Sequence, residues 1–374
     1  ELVSNGNFSQ IGTEEVLNGN FSQEGSELVT NGDFATDSDW SKDSNWSISN
    51  GSAIADGTSN NNISQASLTP VIGKTYKVVF EVLSISQGYF QARIGNELGV
   101  QANGIGVYTS YITATTNDRL RIYGKSLAIG SIDNVSVKEV GQDWSLGTGW
   151  SIGDGVASRV STGTYTNLTQ GGILTAGSTY KVAYTVNEGS IGGARVNLGG
   201  NYYGDYYGVG THTVYGVSGT SGFNNFNLVG EPTFEGSITN ISVKEVGQDW
   251  TFNNSGGSFG WQIYDGKAIC DGNALTPDRN LNSTFSLTNG KTYKLTLDIL
   301  QSEDNMQILI GSTVLSPTLP TGTNLNYEYI ITDSMHSGGL FSLYGGSSDL
   351  QEIDNISVKE ITDDTDLPRI NYEG

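Results

Sequence analysis

One cysteine, Cys270, stands in 374 residues, so no intramolecular disulfide can brace this chain and its stability must come from packed cores. Cations are scarce too: 18 Lys plus Arg against 39 Asp plus Glu leave a net charge of −21. Such a chain repels phosphate backbones and anionic bilayers, which excludes nucleic acid as a partner class. No apolar run approaches the length that crosses a membrane, so no membrane insertion is expected. No segment carries the 3.6-residue apolar period of an amphipathic helix. The two histidines, His212 and His336, fall in different repeats, and zinc spacings, phosphate-cradling loops and nucleophile motifs are all missing. A catalytic carboxylate pair would have to recur with the repeats, yet the Asp of an Asp-Trp dipeptide is the one acid outside the closing strand that all three share. Enzymatic chemistry is therefore not expected. Proline (6) is rare and glycine (51) abundant, while only 15% of residues are charged, a composition that favours turns and strands.

What the chain does have is repetition. SIDNVSVKEV at 131–140 returns as SITNISVKEV at 237–246 and as EIDNISVKEI at 352–361. The spacing is that of a whole β-sandwich, not of a solenoid turn. Each unit opens with Asp39-Trp40, Asp143-Trp144 or Asp249-Trp250, and a second Trp follows at Trp46, Trp150 or Trp261. Then comes Asn50-Gly51, Asp154-Gly155 or Asp265-Gly266, dipeptides that supply the positive φ of a two-residue hairpin turn. The segments GKTYKVVFEV (73–82), GSTYKVAYTV (177–186) and GKTYKLTLDI (290–299) alternate with period two, the pattern of a half-buried antiparallel strand. The expected fold is all-β: three tandem jelly-roll sandwiches at 27–140, 141–246 and 247–361, with strand repeats at 1–26 and a linker at 362–374. Almost no sequence separates one unit from the next, which predicts stiff coupling.

A shorter repeat occupies the front. ELVSNGNF (1–8), EEVLNGNF (14–21) and ELVTNGDF (27–34) recur every 13 residues. The third copy leads into the first sandwich. The other two, with Val3, Phe8, Val16 and Phe21 as their apolar positions, are either a slipped duplication packed locally or disordered, or donor strands for another domain or another subunit. The second reading rests on a count, three starters for three sandwiches.

The set ELVTNGDF, GWSI-x-DG-x-A, GKTYK and IDNVSVKEV resembles the repeats of phage tail and virion fibre proteins, over residues 27–374. Those repeats are similar to the carbohydrate-binding, galactose-binding-like jelly rolls of polysaccharide-degrading enzymes. The final TDLPRINYEG resembles a junction that leads, in phage tail proteins, into a lectin-like region, and a larger polypeptide is expected to continue. The resemblance implies a structural Ca²⁺ tying first strand to last, with Asp133 and Asp354 at the matching acidic position; Thr239 replaces it in the second unit, and Ala35 stands where relatives carry Glu.

Sugar binding stacks aromatic rings on the apolar faces of pyranoses. GGNYYGDYYGVG (199–210) offers Tyr202, Tyr203, Tyr206 and Tyr207 for this; the alternative for alternate tyrosines is the core or a subunit interface. The paired Trp residues are read as core. The expected protein is a non-enzymatic extracellular or virion structural element that forms homo-oligomers, meets other virion or surface proteins and grips cell-surface polysaccharide. The competing reading is a secreted glycan-binding adhesin, or a bacterial surface filament subunit built by strand exchange.

Overall fold

A computed structural model describes residues 1–65, 67–219, 222–252, 261–270, 280–303, 306–315, 318–345 and 350–362. The linker expected at 362–374, apart from Thr362, and most of the extra loop between Trp250 and Trp261 lie outside the described residues. Among those described, the helical content is a single 3₁₀ turn at Asp333–Met335, and the rest of the regular structure is strand. The protein is all-β, built as three jelly-roll sandwiches in a row.

The second sandwich shows the plan most simply. One sheet orders Trp150–Gly153, Val156–Arg159, Gly236–Val246, Thr179–Val186 and Gly210–Val217; the other orders Ser145–Leu146, Thr166–Gln170, Phe226–Gly230, Ala194–Leu198 and Asn201–Tyr207. The third sandwich repeats it with Trp261–Tyr264, Lys267–Cys270, Gln351–Glu360, Tyr293–Ser302 and Gly322–Ile331 over Trp250–Phe252, Asn280–Leu287, Gly339–Tyr344, Gln307–Ile310 and Thr313–Val314. In the first sandwich two long strands, Thr75–Ile94 and Leu120–Val140, run through both layers and join them into one nine-stranded sheet.

The sequence pattern explains these elements. Asn50-Gly51, Asp154-Gly155 and Asp265-Gly266 all adopt positive φ, from 50° to 76°, and close hairpins pairing Trp46 with Ala55, Trp150 with Arg159 and Trp261 with Cys270. The alternating strand buries Tyr76, Val78, Phe80 and Val82, then Tyr180, Val182, Tyr184 and Val186, then Tyr293, Leu295, Leu297 and Ile299. Each closing strand carries a left-handed Asn (134, 240 or 355, all at φ 53°), and past it Val135/Val137, Ile241/Val243 and Ile356/Val358 face inward. Burying such side chains is worth about 1.5–3 kcal/mol each, so each sandwich has a core of its own.

The N-terminal 26 residues belong to these cores in reverse order. Phe8 packs on Trp250 in the third sandwich, Phe21 on Trp144 in the second and Phe34 on Trp40 in the first, with ring centroids 5.4, 5.4 and 5.1 Å apart. Of the four assembly positions, Phe8, Phe21 and Val16 are buried and Val3 packs against the third core, all within their own chain. Antiparallel pairing dictates the reversal. The starter 27–34 runs antiparallel to the closing strand of its sandwich, so the residues before it lie at the end where the second sandwich begins. Ile11–Glu14 pairs with Val246–Lys244, and Glu24–Glu27 with Val140–Lys138. Each thirteen-residue step turns at its Asn-Gly-x-Phe, where the Phe8 or Phe21 N–H bonds the Asn5 or Asn18 carbonyl, and then runs on to the next socket.

Candidate functional site

Two kinds of site are built in this fold: a repeated socket for the starters and one aromatic face. The socket is the same three times. The carboxylate of Glu1, Glu14 or Glu27 accepts the backbone N–H of Val358 (2.9 Å), Val243 (2.6 Å) or Val137 (2.8 Å), and also the hydroxyl of Ser357, Ser242 or Ser136. The carbonyl of Gly6, Gly19 or Gly32 accepts the N–H of Ile356, Ile241 or Val135 at 2.8–2.9 Å. The indole N–H of Trp250, Trp144 or Trp40 donates to the carbonyl of Asn5, Asn18 or Asn31. The first Trp of each unit is thus both core and receptor for the starter. Burial alone would raise the Glu1 carboxyl, but the hydroxyl of Ser357 and the amides of Val3 and Val358 outweigh it and hold the group below its ordinary value.

The aromatic face lies on the outer side of the second sandwich. In Asn201–Tyr207 the side chains alternate. Tyr203 turns into the core and donates its hydroxyl to the Val217 carbonyl at 2.6 Å, and Tyr207 packs inward, stacked at 4.8 Å on His212. Only Tyr202 and Tyr206 of the four sequence candidates face outward. Two residues that the sequence reading missed join them. The Arg195 guanidinium sits 5.4 Å from the Tyr202 ring and 5.9 Å from the Tyr206 ring, and Tyr165 lies 5.6 Å from Tyr206. Tyr165 is 60% exposed and Tyr202 50%. Burial, with Tyr165 nearby, raises the Tyr206 phenol despite the opposing pull of Arg195.

Beside the rings runs a polar row across the sheet. Thr169 donates to Asn227 Oδ1 (2.7 Å), and Asn227 Nδ2 donates to Asn197 Oδ1 (3.0 Å). An open groove of about 370 Å³ continues past Tyr165, Asn167 and Thr169 to Ser145 and Thr148. The buried Arg195 Nε has no hydrogen-bond partner. Exposed rings, a cation and amides on a rigid sheet suit a ligand that is apolar on its faces and hydroxylated at its edges.

Strand register locates the same row in the other sandwiches. The positions of Asn197, Asn227 and Thr169 are taken by Arg93, Arg121 and Ser64 in the first and by Leu309, Ser342 and Asn282 in the third. The arginines of the first are occupied: Arg121 pairs with Asp118, and Arg93 donates to the Tyr123 hydroxyl at 3.0 Å. The same face of the third carries Gln307 at the position of Arg195, with Tyr344 opposite it. The three faces therefore differ where the cores agree.

Asp133 and Asp354 sit on the closing strands at the left-handed Asn. Each spends a carboxylate oxygen on the N–H of the following residue, at 2.6 and 2.7 Å. Asp354 is opposite Asp298, and burial first, then that neighbour, pushes its carboxyl up; both Asp298 oxygens accept Asn amide N–H groups, from Asn326 and Asn355. Ala35 offers no side-chain oxygen. Among the described residues no group of three or more His, Cys, Asp or Glu side chains converges, a donor set that does not fit the six to eight oxygens of Ca²⁺. His212 Nε2 bonds the Gly208 carbonyl, and His336 bridges the Lys291 carbonyl and the Gly338 N–H.

No protein-family model matches the chain, and no curated protein matches it. Among solved structures it is similar to the N-terminal CBM22-1-CBM22-2 tandem domain from Paenibacillus barcinonensis Xyn10C, at 9% identity and a TM-score of 0.23, over 59% of this chain and 94% of that one.

Proposed function

We propose that this is a non-enzymatic extracellular or virion-surface protein in which three clasped sandwiches form a scaffold and the second binds polysaccharide. The observation that carries the reading is the outward cluster of Tyr165, Tyr202, Tyr206 and Arg195 beside the Thr169–Asn227–Asn197 row. Tyrosines needed only for packing would turn inward, as Tyr203 does. A virion or cell-surface setting is supported by the resemblance of the repeats to phage fibre proteins and by the acidic, disulfide-free composition.

The test is affinity electrophoresis through gels containing soluble polysaccharides, followed by calorimetry on any that retard the protein. Tyr202→Ala is expected to weaken binding at least about tenfold, the loss of one stacked ring at roughly 1.4 kcal/mol, with an unchanged melting temperature. Tyr203→Ala is expected to do the reverse, costing about 3–5 kcal/mol of stability as a truncated core aromatic. Retardation that Tyr202→Ala and Arg195→Ala leave intact would move the binding face elsewhere.

A further inference from the structure

On the outer face of the second sandwich the Arg195 guanidinium meets two tyrosine rings and no acid. It lies 5.4 Å from the Tyr202 ring and 5.9 Å from the Tyr206 ring. No oxygen of the described residues accepts a hydrogen bond from it; its Nε is buried without a partner, while its two terminal nitrogens stay open to solvent. A guanidinium carries five N–H groups in a fixed fork, and leaving them unmatched is costly.

Acids are not in short supply, since the chain has 39 Asp plus Glu against 18 Lys plus Arg. Yet Glu231 holds a carboxylate oxygen beside Gly192, and Asp205, exposed on the tyrosine strand, forms no ion pair with Arg195. Nor does the fold demand a cation here. Register puts Gln91 at this place in the first sandwich and Gln307 in the third. Gln91 is satisfied within the chain, donating to the Gly99 carbonyl at 2.8 Å. The homologous face of the first sandwich also has cations to spare. Arg93 and Arg121 share the one carboxylate of Asp118, and Lys125 stands 4.3 Å over the Tyr123 ring without an acid partner among the described residues.

We propose that the polysaccharide bound by the second sandwich is acidic, and that Arg195 receives the carboxylate of a uronic acid residue whose ring lies against Tyr202 or Tyr206. This rests on the reading of the face as a glycan site. The open fork matches a carboxylate with two parallel N–H groups. A neutral sugar offers only hydroxyls and leaves the charge unmatched. The net charge of −21 repels a polyanion at long range, but salt screens that field beyond about 8 Å, whereas the contact at Arg195 is made at hydrogen-bond distance.

The experiment is calorimetry of the full chain with oligosaccharides of galacturonate, mannuronate and hyaluronate, each beside its carboxyl-reduced counterpart, at about 0.15 M salt. At least one acidic oligomer is expected to bind, and its reduced form to bind at least about tenfold more weakly. Arg195→Gln, which installs the residue of the other two sandwiches, should weaken the acidic oligomer at least about tenfold and leave the reduced one unchanged, with Arg195→Lys recovering part of the loss. Unchanged melting temperatures certify both variants, and a merely structural arginine would weaken both ligands alike. A reduced oligomer that binds as well as its acidic parent, an acidic one indifferent to Arg195→Gln, or binding confined to neutral polysaccharides would overturn the proposal and leave the glycan reading standing. No binding to any polysaccharide, charged or neutral, would sink that reading as well.

Discussion

At the scale of single residues the starter socket is held by atoms with no tolerance. A methyl group on Gly6, Gly19 or Gly32 would overlap the carbonyl oxygen of Ile356, Ile241 or Val135, which belongs to the closing strand and cannot retreat. Gly19→Ala is therefore expected to cost about 2 kcal/mol or more and to lower the thermal transition of the second sandwich alone, read by calorimetry. The glutamates add a pH dependence. Hydrogen bonds from Lys77 and Lys138 hold Glu24 below its ordinary value, and Glu1 is held down as described. A carboxyl whose folded pKa is lowered stabilises the fold above its unfolded value of about 4.3 and loses that contribution as pH falls through the folded one. Glu15 works the other way: burial, with Glu245 and Glu14, raises it, so protonation relieves the middle clasp. Acid is expected to loosen the clasps on the first and third sandwiches before the second. Hydrogen exchange of the N-terminal segment at pH 6 and pH 3, corrected for intrinsic rates, should show that order; uniform loss of protection would contradict it.

At the scale of elements, most strands could be read from the residues because a half-buried strand repeats every two positions and Asn-Gly or Asp-Gly turns mark its ends. The aromatic face was only half legible. The Tyr pairs stood out as a cluster, but Arg195 and Tyr165 come from other strands and reach Tyr206 only when the sheet forms. The starters were legible as a count of three; their destinations were not, since each Asn-Gly-x-Phe fits any socket. Antiparallel geometry makes the assignment. Removing residues 1–26 takes one aromatic anchor from the second core and one from the third, at about 3–5 kcal/mol each, and none from the first. Calorimetry is expected to show two strongly lowered transitions and a much smaller change in the first, which loses only the Glu24 pairing with Lys77 and Lys138. Unchanged second and third transitions would mean that the segment only decorates the surface.

At the scale of the whole molecule, the first 26 residues act as a strap that crosses both joints, which is why the beads are coupled more firmly than their short connections would make them. The reversed order of that strap also sets a timetable. Glu27 finds Ser136 after 109 residues, Glu14 finds Ser242 after 228, and Glu1 finds Ser357 after 356. A ribosome adding about 5–20 residues per second releases Phe8 on the order of tens of seconds before Trp250 exists to receive it. The first sandwich can close while its successors are still being made, but the earliest residues must wait, unpaired and apolar, for the latest. The third sandwich is completed by residues 1–8, so a chain that stops short of Trp250 carries Phe8 without its partner, a loose apolar end that marks it as unfinished.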